Sequence, residues 1–226
     1  MALRAAHYTL AGHLPGPIVQ LFPMIHIGSP GFFAAVQARL NTCDVILYEG
    51  VRSPSGWILT LSYRIVARRK RLGLITQSRG LSMTNLRGKL LHADATAAEF
   101  GVAWARIPWH WRFAILTVAP LFGAIQYLTA SRESIGKHMS LEDVPSRSDM
   151  ERSNGPPGLE QALGASRDAK IIAALEAQLT AVGNTKSVGV LFGAAHMKVV
   201  TDLLIVKYGF RVTTAEWLEV FNYADA

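Results

Sequence analysis

Three short apolar runs, each followed by residues that can carry chemistry, constrain the fold of this chain most strongly. The runs are residues 18–25, 45–48 and 188–192. His26 follows the first run, Glu49 follows the second, and Gly193 and then His196 follow the third. Short runs of branched and aromatic residues without polar alternation are typical of strands that are buried on both faces. They predict a parallel sheet covered by helices on both sides.

The segments around these runs indicate how the strands are connected. Phe33, Val36 and Leu40 recur at helical spacing between the first two runs, which predicts a strand–helix–strand unit with parallel strands. Apolar residues after His196 predict a helix, and residues 210–220 predict a last strand. We therefore predict an α/β fold whose central, mostly parallel sheet is built from the two ends of the chain. Residues 52–182 are predicted to be a large, mostly helical insertion in this single domain of residues 1–226.

Composition excludes several classes of protein. With 226 residues, 50% of them apolar and 17% charged, the chain is long and apolar enough to bury a core, which excludes general disorder. Its single cysteine, Cys43, excludes an internal disulfide framework and a thiolate zinc site. Polar and turn residues interrupt the N-terminal segment before it reaches the apolar length of a secretory signal. We therefore expect a cytoplasmic protein, with membrane association as an alternative.

The charge of the chain is unevenly distributed. The formal net charge is +7, and residues 50–93 contain nine Lys and Arg residues but no Asp or Glu. Such a run can face anionic lipid or nucleic acid, or form a solvated helix face. Because the run lacks a recognition motif and interleaved aromatic residues, we expect no nucleic-acid partner. The P-loop, the GxGxxG turn after a strand and the GxSxG signature of serine hydrolases are absent from the sequence.

Residues 113–130 form an uncharged apolar segment that is close to the minimum length for crossing a membrane. Pro120 lies inside it, and proline removes a helical hydrogen bond and kinks or breaks a helix. We therefore predict a helix hairpin broken at Pro120, either buried or lying on a membrane surface, with a transmembrane helix as the less favoured alternative. Peripheral contact with a membrane is accordingly one of the expected partnerships.

The residues that end the strands are the first candidates for a functional site. In a parallel sheet, ligands bind outside the carboxyl ends of the strands, where His26, Glu49 and His196 are predicted to lie. Two imidazoles and a carboxylate can hold a divalent metal ion with one position left for water. Alternatively, one histidine acts as a general base that the carboxylate orients. A buried Glu49 needs a partner in either case.

Further candidates flank these strands. Gly193 and the two alanines after it allow the backbone to approach a ligand, which makes Gly193 a predicted substrate-binding position. Arg167 can pair with Glu49 or bind a substrate carboxylate or oxyanion, and Asp168 suits the first turn of a helix. Asp94 or Thr96 can cap a helix, with Glu99 closing the cap, and Asp94 together with His92 can edge the site as substrate-binding residues.

These segments, taken together, resemble the TraB/GumN family, which is related to the Tiki-type metalloproteases and more distantly to erythromycin esterases and ChaN-like proteins. The resemblance covers about residues 18–222 and rests on four stretches in the same order: residues 24–29, 43–50, 167–168 and 193–197. It implies two Gly-x-x-His motifs, a glutamate at a strand end and an arginine. These positions fall on His26, His196, Glu49 and Arg167, with Pro23 in place of the first glycine.

The resemblance implies a metal-dependent hydrolase of the peptidase or amidase type that acts on a peptide or small-molecule substrate. His26, Glu49 and His196 would then hold a divalent Mn, Co or Zn ion, and Glu49, Arg167 and His196 would be catalytic. Two alternatives remain open. One is an esterase-like hydrolase without a metal, in which a histidine is the general base. The other is a non-catalytic module that binds a peptide or an anion in the same cleft, which Pro23 favours because proline cannot donate a backbone hydrogen bond.

Overall fold

A six-stranded sheet forms the centre of the chain. The computed structural model describes residues 1–13, 15–50, 60–142, 164–181 and 185–224. The strands of the sheet lie in the order β6-β4-β7-β2-β1-β8. Their bounds are Ala2–Ala11 for β1, Ile18–Met24 for β2, Val45–Tyr48 for β4, Lys89–His92 for β6, Ser187–Gly193 for β7 and Arg211–Asn222 for β8. The short strands β3 (Ile27–Gly28) and β5 (Ile75–Thr76) form a separate antiparallel pair.

Four neighbouring strands, β6, β4, β7 and β2, run parallel to one another. Strand β1 runs in the opposite direction and pairs antiparallel with β2 on one side and with β8 on the other. The predicted α/β class with a mostly parallel central sheet is therefore confirmed. The strand–helix–strand unit predicted near the N-terminus is present, but β7 lies between its two strands. The N-terminal strand β1 was not predicted.

Eight helices are described, and most of them cover the sheet or extend from it. Their bounds are Pro30–Leu40 for α1, Leu61–Val66 for α2, Gln77–Gly80 for α3, Ala97–Ala105 for α4, Trp109–Thr129 for α5, Arg132–Glu142 for α6, Ala165–Thr180 for α7 and Met197–Asp202 for α8. A π-helical turn, Leu203–Lys207, continues α8. Six of these helices lie in the predicted insertion, which also supplies the parallel strand β6. Within that insertion, residues 52–59, 143–163 and 182 lie outside the described residues.

The two faces of the sheet bury separate apolar layers, as the uninterrupted apolar runs predict. On one face, Phe22 and Ile46 pack with the α1 side chains Phe33 and Val36. The opposite face packs against α7 and α8 and includes the alternate strand residues of the same runs, namely Leu21, Val45, Leu47, Val188 and Val190. Because successive side chains of a strand point to opposite faces, an uninterrupted apolar run fills both layers.

The register of the parallel strands aligns their carboxyl ends. Tyr48 at the end of β4 pairs with His92 of β6 on one side and with Leu191 of β7 on the other. Met24 at the end of β2 pairs with Gly193 at the end of β7. The residues that follow the four strands therefore lie along one edge of the sheet, called the carboxyl edge below.

Helix α5 differs from the hairpin that Pro120 predicted. It runs without interruption from Trp109 to Thr129, with Pro120 in its interior. The proline removes only the hydrogen bond that its nitrogen would have donated, and the helix continues because apolar, helix-forming residues flank it on both sides. One turn after the proline, Gly123 packs closely on α2, since a Cβ at Gly123 would lie 2.7 Å from the Cα of Ser62. This contact attaches the second half of α5 to α2.

Candidate functional site

A buried ionic network occupies the carboxyl edge, and Arg167 of α7 is at its centre. The Arg167 guanidinium donates to both carboxylate oxygens of Asp94, from Nε and from a terminal nitrogen, at 2.7 Å each. The same terminal nitrogen lies 3.3 Å from Oε2 of Glu49. The pairing of Arg167 with Glu49 that the sequence suggested is therefore present, but Asp94 is the closer partner.

Asp94 is fully occupied by this network. Its side chain is 0% exposed, and in addition to Arg167 it accepts hydrogen bonds from the backbone N–H groups of Gly50 and Ala95. Burial alone would raise the pKa of Asp94, but the hydrogen bonds and the charge of Arg167 lower it below its usual value. Burial likewise disfavours the charge of Arg167, and Asp94 outweighs that effect and raises its pKa. Both groups are therefore charged at neutral pH, and Asp94 holds Arg167 in position.

Gly193 makes room for the carboxylate of Glu49. A Cβ at Gly193 would lie 3.5 Å from each Glu49 carboxylate oxygen, so the two residues face each other across the ends of β7 and β4. The side chain of Glu49 is 9% exposed. The predicted close approach at Gly193 is thus occupied by the Glu49 carboxylate of the protein itself. The role of Gly193 in binding a substrate stays a prediction.

His196 belongs to a second pair at the same edge. It ends the 3-10 turn Ala194–His196 that follows β7, and its Nδ1 lies 2.6 Å from Oδ1 of Asp168. The ring also meets Phe192 edge-on. When a carboxylate accepts the Nδ1 proton of a neutral imidazole, Nε2 is left with the lone pair that can accept a proton. This arrangement is that of a general base with its orienting acid.

The two pairs are joined because Arg167 and Asp168 are consecutive residues in the first turn of α7. Arg167 contacts Glu49 and Asp94, and Asp168 contacts His196, so this turn connects the ends of β4 and β7 with the segment after β6. Asp168 lies in the first turn of this helix, as the sequence suggested. Sequence reasoning treated Asp168 as a helix-turn charge and missed its pairing with His196.

His92 lies at the rim of this network. Its Nε2 is 2.9 Å from the carbonyl oxygen of Gly50, and its ring meets Tyr48 edge-on. Gly50 thus touches both predicted substrate-binding residues of this segment, with its N–H on Asp94 and its carbonyl on His92. Thr96, not Asp94, caps α4, in a capping box with Glu99. The capping that the sequence suggested here is present at Thr96.

His26 occupies a separate, exposed position after β2. Its ring stacks on that of Tyr63 at a centroid distance of 4.8 Å, and its carbonyl accepts the N–H of Gln77. Burial raises the pKa of the Tyr63 hydroxyl to about 12, and the charge of Glu49 contributes to this rise. Tyr63 is therefore the partner of His26, a contact that no sequence signal indicated.

The predicted metal ligands do not form a metal site in this arrangement. Among the residues that the structure describes, no three His, Cys, Asp or Glu side chains form a group that could hold a metal ion. Glu49 is engaged by Arg167, His196 by Asp168, and His26 by the face of Tyr63. Burial raises the pKa of Cys43 to about 12, so this residue stays a thiol at neutral pH. The metal site that the resemblance implies stays a prediction, and no step proposed below uses a metal.

Comparisons with protein-family models, with curated proteins and with solved structures gave no significant match. The resemblance to the TraB/GumN family therefore stays a prediction that rests on the residues named above. The function of the carboxyl edge has to be argued from its geometry.

Proposed function

We propose that this chain is a hydrolase of esters or related acyl compounds, with His196 as the general base and Asp168 as the residue that positions it. The 2.6 Å contact between Nδ1 of His196 and Oδ1 of Asp168 carries the proposal. It supports the metal-independent alternative, because the carboxylate favours the tautomer in which Nε2 is the base. A location at the carboxyl ends of parallel strands supports it further, since ligands of α/β sheets bind there.

In the proposed reaction, Nε2 of His196 takes a proton from water while the water oxygen forms a bond to the acyl carbon. The electron pair of the carbonyl double bond moves to the carbonyl oxygen and gives a tetrahedral oxyanion. When this intermediate collapses, the bond to the leaving group breaks, and the imidazolium returns its proton to the departing oxygen or nitrogen. Asp168 stabilises the imidazolium between these two steps.

In this proposal the network of Glu49, Arg167 and Asp94 forms one rigid side of the substrate site. Because Arg167 and Gly193 hold the Glu49 carboxylate at the end of β4, it offers an acceptor for an N–H or O–H group of the substrate. Arg167 is already bound to two carboxylates, so we assign it a positioning role rather than the substrate-binding role that the sequence suggested. Asp94 positions Arg167 in turn.

A panel of p-nitrophenyl esters with acyl chains of increasing length, with amides and a peptide library beside it, tests the proposal. We expect His196→Ala and Asp168→Asn to lower kcat/KM by roughly 10²–10⁴-fold, the usual contribution of general acid–base catalysis. The matched control is His13→Ala, which removes an exposed histidine outside the site and should leave kcat/KM unchanged. Circular dichroism and urea denaturation verify that each variant folds.

The same assay separates the alternatives. Turnover that survives a chelator supports the proposal. Turnover that is lost with the chelator and restored by Mn, Co or Zn favours the metal-dependent hydrolase instead. An absence of turnover on every substrate favours the binding module, and full activity in His196→Ala refutes the assignment of the base.

A further inference from the structure

Helix α5 carries an apolar stripe that is exposed along its whole length. Val118, Leu121, Ile125 and Leu128 recur at alternating spacings of three and four residues, which places them on one face of a helix. All four side chains are more than half exposed, with Leu121 at 61% and Leu128 at 73%. The opposite side of α5, at Gly123, packs on α2. Contiguous exposed apolar surface of this kind is typical of an interaction site.

Trp and Tyr residues lie near the two ends of α5. Trp111 precedes Val118 by seven residues and therefore lies on the face of the apolar stripe, whereas Trp109 and Tyr127, also exposed, lie toward the side of Gly123. Indole and phenol rings favour the boundary between the acyl chains and the headgroups of a membrane, because they combine an apolar body with one polar group.

The charges around α5 are mostly positive, and the two acidic residues that flank it, Glu99 and Glu133, are paired with Lys170 and Lys137. Residues 100–132 contain three arginines and no acidic residue, and residues 50–93, which include α2, contain nine basic residues and no acidic one. Arg106 is exposed just before α5 begins. Near the other end, Arg69 donates to the carbonyl of Ala130 at 2.7 Å, and its neighbours Arg68 and Lys70 are exposed. This distribution is complementary to anionic phospholipid headgroups.

Both ends of α5 are attached to the same protein body. At its C-terminal end, Ala130 is buried in the main core and Arg132 donates to the carbonyl of Leu72 at 2.6 Å. At its N-terminal end, Ile107 packs with α4, and an ion pair between Glu99 and Lys170 ties α4 to α7. Within the described part of the chain, α5 alone is long and apolar enough to cross a membrane, by length and composition only. A crossing helix would place these two attachments on opposite sides of a hydrocarbon layer about 30 Å thick.

We propose that α5 docks on the surface of a membrane containing anionic phospholipid, with its long axis in the plane of the interface. In this orientation the apolar stripe enters the acyl region and the basic residues at both ends meet the headgroups. The attachments of both helix ends to one body favour this orientation over the spanning one. Docking is independent of the proposed hydrolase, because α5 contributes none of the residues of the carboxyl edge.

Flotation of the full chain with vesicles tests this proposal. One set of vesicles is pure phosphatidylcholine, and the other contains about 30% phosphatidylserine. We expect binding to the anionic vesicles and release by high salt, because exposed charges are screened. The double variant Leu121→Glu/Leu128→Glu should weaken binding at least tenfold, since two side chains of the stripe would no longer enter the acyl region.

The matched control is the double variant Val206→Glu/Val212→Glu, which adds the same charge at two exposed apolar residues outside α5. It should bind nearly as the unaltered chain does. An equal loss of vesicle binding in both double variants would attribute the binding to net charge alone and overturn the proposal. Unchanged vesicle binding in the α5 variant would overturn it too. Failure to bind anionic vesicles would overturn it as well. Resistance to carbonate extraction would indicate a spanning helix. Dimers that form in the unaltered chain and in the control, but not in the α5 variant, would indicate self-association. Either result also overturns the proposal.

Discussion

The buried network around Arg167 makes a sharp prediction about stability. In Arg167→Met the aliphatic part of the side chain is kept, but Asp94 and Glu49 lose their shared cation. Removing one partner of a buried ion pair costs about 3–5 kcal/mol, because the other charge stays buried without compensation. Asp94 still accepts the N–H groups of Gly50 and Ala95, which places the expected loss near the lower limit, at about 3 kcal/mol.

Arg39 provides a matched control. Its guanidinium donates twice to Oε2 of Glu216, at 2.9 and 2.7 Å, so it too makes two hydrogen bonds to one carboxylate group, although to a single oxygen. The two side chains are 33% and 45% exposed, however, and exposed pairs contribute about 0–1 kcal/mol. We therefore expect Arg39→Met to move the unfolding midpoint far less than Arg167→Met does. The two variants differ mainly in the burial of the pair that is broken.

Urea denaturation at neutral pH measures both losses. With a slope of about 2–3 kcal/mol/M, a loss of about 3 kcal/mol moves the unfolding midpoint by about 1 M or more. Adding Asp94→Asn to Arg167→Met should recover part of the loss, since the buried charge is gone. Recovery will be incomplete because the asparagine keeps one acceptor oxygen and turns its NH₂ group toward the second backbone donor. The reasoning is wrong if Arg167→Met costs no more than Arg39→Met.

The same network predicts how stability depends on pH. Burial opposes the charge of Asp94, but Arg167 and the backbone donors hold its pKa below the ordinary 3.8 in the folded chain. The unfolded chain therefore takes up this proton first as the pH falls. The stabilisation is present above the ordinary pKa and is lost as the pH falls from there through the lower pKa of the folded state. Other carboxylates titrate in the same pH range. The measurement is therefore the difference in the free energy of unfolding between the unaltered chain and Arg167→Met. This difference should become smaller as the pH falls toward 3.

Three further predictions concern other parts of the chain. Gly123→Val should lower the free energy of unfolding by about 1–3 kcal/mol in urea denaturation, because its side chain would be driven into the backbone of Ser62. Thr96→Ala removes the capping box of α4 and should cost about 1 kcal/mol in the same assay. Burial lowers the pKa of His7 below 6.5, more than its hydrogen bond with Gln20 raises it, so stability should fall as the pH drops below 6.5. A His7→Phe variant should lose this dependence when denaturation at pH 7.5 and at pH 5 is compared.

The parts of the fold that sequence predicted are those whose signal is local. The strands β2, β4 and β7 follow directly from uninterrupted apolar runs, and each end of a run marked a residue of the carboxyl edge. Strand β1 was missed because its buried positions include Ala5 and His7, so its alternation of buried and exposed residues carries little hydrophobic contrast. Strand β6 is a four-residue edge strand with no fully buried side chain, which leaves almost no pattern to detect.

The neighbourhood of the candidate residues was predicted, but their pairing was not. Glu49 and His196 follow β4 and β7 at the carboxyl edge, as expected, and Arg167 of α7 contacts Glu49, while their function stays a prediction. The choice of partners was not predictable, because it depends on how α7 is turned. That turn directs Arg167 toward Asp94 and its neighbour Asp168 toward His196. The orientation of the first turn of α7 therefore places a carboxylate beside His196. The spacing of residues in the sequence does not indicate how α7 is rotated about its axis.

Helix α2 connects the carboxyl edge with the proposed membrane-docking helix. Its Tyr63 stacks on His26 at the edge of the sheet, while the adjacent Ser62 contacts Gly123 of α5. Because the two residues are consecutive, the apolar helix and the carboxyl edge are separated by the thickness of a single short helix. Because the apolar stripe is on the side of α5 opposite Gly123, a membrane surface that holds α5 would lie one further helix diameter from the carboxyl edge. This proximity favours acyl substrates that partition into an interface, and it is the physical reason for including long acyl chains in the ester panel.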